Sequence, residues 1–164
     1  MKKFTIEDLA INAIIGAFYV ALVFIFSFTS FEVVQFRIAE FLLILVLFNP
    51  KLAPGLILGT FLSNLNSPFG IVDTLVGTLA STLAITAMIF LRKIPLLALL
   101  MPALFNGLVV GYMIYYLSLT ETIVPFIGAF GWVFLGEFVV MFVIGLPVYY
   151  YIRKNKNIHD LLTK

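Results

Sequence analysis

Six apolar stretches, cut apart by short clusters of proline, glycine, asparagine and basic residues, make up nearly all of the chain between Ile6 and Tyr151. A helix of about 20 apolar residues crosses the hydrocarbon core of a bilayer. Water-soluble domains carry roughly a quarter charged residues; here charged residues are 11% and hydrophobic ones 63% of 164 positions. So few charges cannot solvate the surface of a soluble domain, which excludes a soluble enzyme, a nucleic-acid binder and a disordered tail. The reading that remains is an all-α integral membrane protein, one transmembrane domain over 1–164. There is no cysteine, and the single histidine, His159, stands in a polar tail. No catalytic residue, metal site or cofactor is expected from this inventory.

The spans are expected near 6–28, 36–48, 52–65, 71–91, 96–117 and 127–151. The first offers about 33 Å of helix at 1.5 Å per residue. The Met1-Lys2-Lys3 start resembles that of a signal peptide, but no small-residue cleavage site follows, so the first span reads as retained. The stretch Phe31 to Arg37, with Glu32 and Gln35, reads as a loop, as does Ser118 to Thr122. The second and third spans are short, parted by Asn49-Pro50-Lys51, where proline ends the helix and lysine resists the core. Asn64 to Gly70 is dense in turn formers. The segment after Arg153 reads as a polar tail.

Six spans put both termini on one side. With that side cytoplasmic, Lys2, Lys3, Lys51, Arg92, Lys93, Arg153, Lys154, Lys156 and Lys164 all lie inside, and Arg37 alone falls in the outer half. This is the expected bias of basic residues. Merging the second and third spans would carry Arg92 and Lys93 outside and spoil it.

The first span carries Ala13, Ala17 and Ala21, four residues apart on one stripe. Small residues at this spacing admit a second helix closely, either within the same bundle or from a partner. Gly55/Gly59 and Gly107/Gly111 repeat the pattern.

Seven polar residues outside the termini and basic turns stand out as site candidates: Arg37, Glu40, Asn64, Asn66, Asp73, Asn106 and Glu137. An ionisable residue inside a span costs about 2.5–3.5 kcal/mol on insertion scales, so it faces a cavity or a partner. By the expected topology all seven fall in the outer half, and Trp132 lies about one turn before Glu137. Several have a plainer reading. Arg37 and Glu40 are spaced to pair with each other. Asp73 suits a helix N-terminus, Asn64 and Asn66 suit a turn, and Trp132 suits an interfacial anchor. Asn106 and Glu137 are too deep for such roles. Together they read as a ligand or ion site containing carboxylates and entered from outside.

Four runs carry a resemblance: Arg37-Ile-Ala-Glu40; Pro54-Gly-Leu-Ile-Leu-Gly59; Asn64-Leu-Asn-Ser-Pro-Phe-Gly-Ile-Val-Asp73; and Gly77-Thr-Leu-Ala80. With Pro102-Ala-Leu-Phe-Asn106-Gly, Gly136-Glu137 and Gly145-Leu-Pro147, the chain resembles the QueT family over nearly its whole length. These are S components, the substrate-binding subunits of energy-coupling factor (ECF) transporters, for queuosine precursors. The resemblance implies a six-helix S-component-like bundle in a bacterial cell membrane. It also implies docking on an ECF module of one T component and two ATPases, through the stripe Ala13, Ala17 and Ala21. No GxxxxGK[ST] nucleotide loop occurs in the chain, so ATP is expected to be hydrolysed by the partner.

The implied ligand is a 7-deazaguanine, foremost the 7-aminomethyl form. Its guanine edge presents two adjacent N–H donors, which one carboxylate accepts as a pair, and Glu137 is the expected acceptor. The aminomethyl arm is an ammonium that needs a second carboxylate, and the ring needs an aromatic partner. Arg37, Glu40, Asn64, Asp73, Asn106, Trp132 and Glu137 are the expected substrate-binding set, with Phe69 as a second stacking candidate. Two other classes stand against this one. A small membrane enzyme on a lipid substrate calls for paired acids or histidines facing the cytoplasm, and a solitary ion-coupled carrier calls for two related halves.

Overall fold

A computed structural model describes residues 4–27, 36–118 and 125–163, and every regular element among them is helical. The loops expected at 31–37 and 118–122 fall largely outside the described residues. Helix α1 spans Ile6–Ile25. It opens with a capping box: Asp8 N donates to Thr5 Oγ1 at 3.1 Å, and Thr5 N donates to Asp8 Oδ2 at 2.8 Å. Helix α2 spans Ile38–Phe48 and is 3₁₀ as far as Ile44. After a 3₁₀ turn at Pro50–Leu52 come α3 (Ala53–Asn64), α4 (Gly70–Phe90) and α5 (Pro95–Ser118). Helix α6 (Phe126–Lys154) widens to a π-turn at Val140–Gly145. That turn lies just before Pro147, which has no N–H to donate to the preceding turn.

Among the described residues, four helices are long and apolar enough to cross a membrane: α1, α4, α5 and α6. The second and third expected spans are helical but short. Helix α3 has 12 residues, about 18 Å, against a hydrocarbon core of about 30 Å. Helix α2 is a 7-residue 3₁₀ run followed by a 4-residue α-turn, and Ala39, Leu42, Leu43, Ile44 and Val46 are all buried. It is an interior strut, touching α1 and the π-turn of α6. The expected polar tail is in part a helix, α7 (Lys156–Thr163). Its Ile158 and Leu162 pack on the core, and the His159 ring meets Phe48 edge-on at 5.9 Å.

Consecutive helices pack side by side, α3 on α4, α4 on α5 and α5 on α6, while α1 lies along α3. Glycine sets the close approaches. A Cβ on Gly16 would stand 2.8 Å from the Gly55 carbonyl oxygen, and one on Gly59 would stand 3.0 Å from the Gly16 carbonyl oxygen. On the other side of the bundle, a Cβ on Gly111 would stand 2.9 Å from Phe130 Cα. The small residues of Gly55/Gly59 and Gly107/Gly111 therefore serve packing within the bundle. The alanine stripe does not. Helix α1 buries Asn12, Gly16, Tyr19 and Val23, and leaves Ala13, Ala17 and Ala21 exposed on its other face.

The apolar interior is divided in two. The larger cluster holds Leu43, Ile44, Ile85, Met88, Leu99, Met141 and Tyr149; the smaller holds Ala80, Val110, Met113, Ala129 and Val133. Along α4, α5 and α6 the division falls at Ser81, Asn106 and Glu137, each standing in sequence between members of the two clusters.

Candidate functional site

Arg37, Glu40, Asn64, Asp73, Asn106 and Glu137 are each at most 1% exposed. Six polar side chains withdrawn from solvent on five segments need partners or a ligand, because an unsatisfied buried polar group costs about 1–3 kcal/mol. Most of their polar atoms have none. Among the described residues, Arg37 Nε and Nη2, Glu40 Oε2, both amide atoms of Asn64 and of Asn106, both carboxylate oxygens of Asp73, and Glu137 Oε2 are buried without a hydrogen-bond partner. Donors and acceptors are both present. The guanidinium of Arg37 feels the charges of Asp73, Glu40 and Glu137, and Glu137 feels that of Glu40, so the four ionisable groups share one neighbourhood.

The local structure explains how Arg37, Glu40, Asn64 and Asp73 are placed. In a 3₁₀ helix, side chains three apart eclipse, so Arg37, at the cap of α2, and Glu40 share a face. They form no ion pair within 4 Å, so the simple pairing suggested by their spacing is not what the structure contains. Asn64 ends α3 and Asp73 stands in the first turn of α4. The connection closes tightly: Ser67 N donates to the Asn64 carbonyl at 3.0 Å, Thr74 Oγ1 donates to the same carbonyl at 3.0 Å, and Gly70 takes a φ of 60°. These bonds occupy the Asn64 backbone and leave its amide side chain unpartnered. Gly77 makes room on α4, since a Cβ there would stand 2.8 Å from Asn64 Nδ2 and 2.9 Å from Asp73 Oδ1.

Some hydroxyls in the region are spent within their own helices. Thr60 donates to the Leu56 carbonyl at 3.0 Å, and Ser63 to the Gly59 carbonyl at 2.7 Å. Two are not. Tyr19 Oη donates to Glu40 Oε1 at 2.8 Å, and Ser81 Oγ donates to the same oxygen at 3.1 Å. Neither residue stands out in the sequence, because a lone hydroxyl in an apolar segment carries little insertion cost. The available signal for Tyr19 was its place on the face of Asn12 and Gly16.

Trp132 is not brought into this cluster. It is 48% exposed, on the outer surface of α6. Glu137 is five residues further on, about 140° around the helix, so the two side chains point apart. Phe69 is 37% exposed in the turn before α4, and Asn66 is exposed in the same turn. A ladder of half-buried phenylalanines, Phe126, Phe130, Phe134, Phe138 and Phe142, runs along α6 with neighbouring ring centroids 4.4–6.2 Å apart.

No group of three or more histidine, cysteine, aspartate or glutamate side chains among the described residues is arranged to hold a metal ion. The arrangement is suited to a polar organic ligand that offers both donors and acceptors. A family model described as QueT transporter matches residues 9–154. No curated protein and no solved structure matches the chain.

Proposed function

The chain belongs to the QueT transporter family, and from that premise we propose that it is the substrate-capturing S component of an ECF importer for a 7-deazaguanine precursor of queuosine. It is thus a multi-pass membrane transporter subunit and not an enzyme. The observation that carries the substrate reading is the buried shell of unpartnered donors and acceptors on α2, α3, α4, α5 and α6. A 7-deazaguanine presents a flat body with N–H donors on one edge, a carbonyl acceptor beside them and, in the 7-aminomethyl form, an ammonium on the opposite side. Asp73 and Glu137 supply acceptors for the donor edge, Glu40 an acceptor for the arm, and Arg37, Asn64 and Asn106 donors for the remaining acceptors.

In this reading the six helical segments form the S-component bundle. Helices α2 and α3 run inward and back out as a short pair with Lys51 at its tip beside Asp8, and with the turn Asn64 to Gly70 they act as the gate over the ligand. The basic end, with Lys51, Arg92, Lys93 and Lys154, faces the cytoplasm. The exposed stripe Ala13, Ala17 and Ala21 meets the T component, and Trp132 sits at the lipid surface.

Calorimetry on the isolated chain tests the substrate reading. A ligand of about thirteen heavy atoms at roughly −1 kcal/mol per atom reaches nanomolar affinity, within the limits for small ligands. The expected result is such binding of 7-aminomethyl-7-deazaguanine, weakened for guanine, which has the edge but not the arm. Absence of binding of either compound would overturn it.

A further inference from the structure

Two acidic side chains of the cluster, Asp73 and Glu40, are not equivalent acceptors. Asp73 has both oxygens buried and unpartnered, as two adjacent N–H donors require. Glu40 is different: Tyr19 Oη and Ser81 Oγ both donate to Oε1, at 2.8 and 3.1 Å, and only Oε2 is left without a partner. Tyr19 comes from α1, Ser81 from α4 and Glu40 from α2, and all three are fully buried. With one oxygen held from two sides, the carboxylate is fixed in rotation and offers a single acceptor.

We propose that Tyr19 and Ser81 are positioning residues that make Glu40 a one-oxygen acceptor for a single cationic N–H donor of the ligand, and so set selectivity for an ammonium-bearing substrate. The assignment rests on the substrate reading above. A free carboxylate could turn both oxygens toward a planar donor pair. One pinned at Oε1 cannot, and it matches a point donor such as a primary ammonium better than a flat amidine-like edge. The opposite ends of the ligand are then read by differently prepared acids, which fixes its direction in the site.

The test is calorimetry on the full chain with two probes, 7-aminomethyl-7-deazaguanine and 7-cyano-7-deazaguanine, whose nitrile has no donor. The wild-type chain is expected to favour the aminomethyl compound. Tyr19→Phe and Ser81→Ala remove one donor each with little change of shape, and each is expected to reduce the ratio of the two affinities by about tenfold, as for a hydrogen bond to a charged group. In a Glu40→Gln background, Tyr19→Phe is expected to leave the ratio unchanged, because its effect passes through Glu40. Equal loss for both probes, or an unchanged ratio in both single variants, would show Tyr19 and Ser81 to be structural supports and overturn the assignment alone. Failure of the wild-type chain to bind either probe would overturn the substrate reading and this assignment with it.

Discussion

The backbone N–H of Gly55 donates to the side-chain oxygen of Asn12 at 2.6 Å, joining the start of α3 to the first third of α1. The amide nitrogen of Asn12 donates in turn to the carbonyls of Asp8 and Lys51, at 2.7 and 2.9 Å. Beside them the Lys51 ammonium pairs with Asp8 at 2.7 Å. One buried side chain thus ties the two helices where glycine lets them touch. Asn12→Ala leaves the Gly55 N–H without this acceptor and is expected to destabilise the chain by about 1–3 kcal/mol. Thermal unfolding in detergent checks this, with the exposed Leu9→Ala as the control expected to change little. Equal melting of the two variants would remove Asn12 from this role.

The alanine face of α1 points away from the bundle, so a large residue there has no internal neighbour to disturb. Ala17→Trp is expected to abolish transport by the assembled complex while substrate affinity of the isolated chain stays within about twofold. Wild-type transport rates with tryptophan at this position would show that no partner helix uses the stripe.

Gly77→Ala introduces a single methyl against Asn64 Nδ2 and Asp73 Oδ1, both close enough that they must move. Ligand affinity is expected to fall by about tenfold or more, while the melting temperature changes little because the displaced atoms are side-chain ends. Undiminished affinity would place the ligand away from α4.

Glu137→Gln keeps the volume and replaces an acceptor oxygen with an NH₂ donor. A loss of about 2–5 kcal/mol in binding is expected, the usual result of truncating one partner of a buried charged pair. A change under about tenfold by calorimetry would move the donor edge to Asp73, whose two oxygens are both unpartnered.

Arg37, Glu40, Asn64, Asp73, Asn106 and Glu137 stand out in the sequence because charges and amides in apolar segments are expensive; Asn12 carries the same cost, and only its bonds to Gly55 and Lys51 show what it does. The structure draws Tyr19 and Ser81 into the same cluster. A hydroxyl can satisfy itself on its own helix, as Thr60 and Thr82 do, so its presence marks nothing until its partner is seen. Trp132 stands near Glu137 along the chain, but the helix turns the two apart. The 3₁₀ course of α2 was also hidden, since its apolar residues suit a buried α-helix equally well. Proline and asparagine marked its end correctly at Asn49. The alanine stripe was ambiguous for a related reason: spacing selects a face, and only the packing of Gly16 on Gly55 and Gly59 fixes which face is inward.

On the proposed function, this chain captures substrate but does not drive it across the membrane. Proteoliposome uptake of labelled 7-aminomethyl-7-deazaguanine tests this most directly, with the chain alone or assembled with a T component and two ATPases. Concentrative uptake is expected only in the assembled complex with ATP inside the liposomes. Concentrative uptake by the chain alone, without ATP and driven by a proton gradient, would contradict the account and identify a solitary carrier.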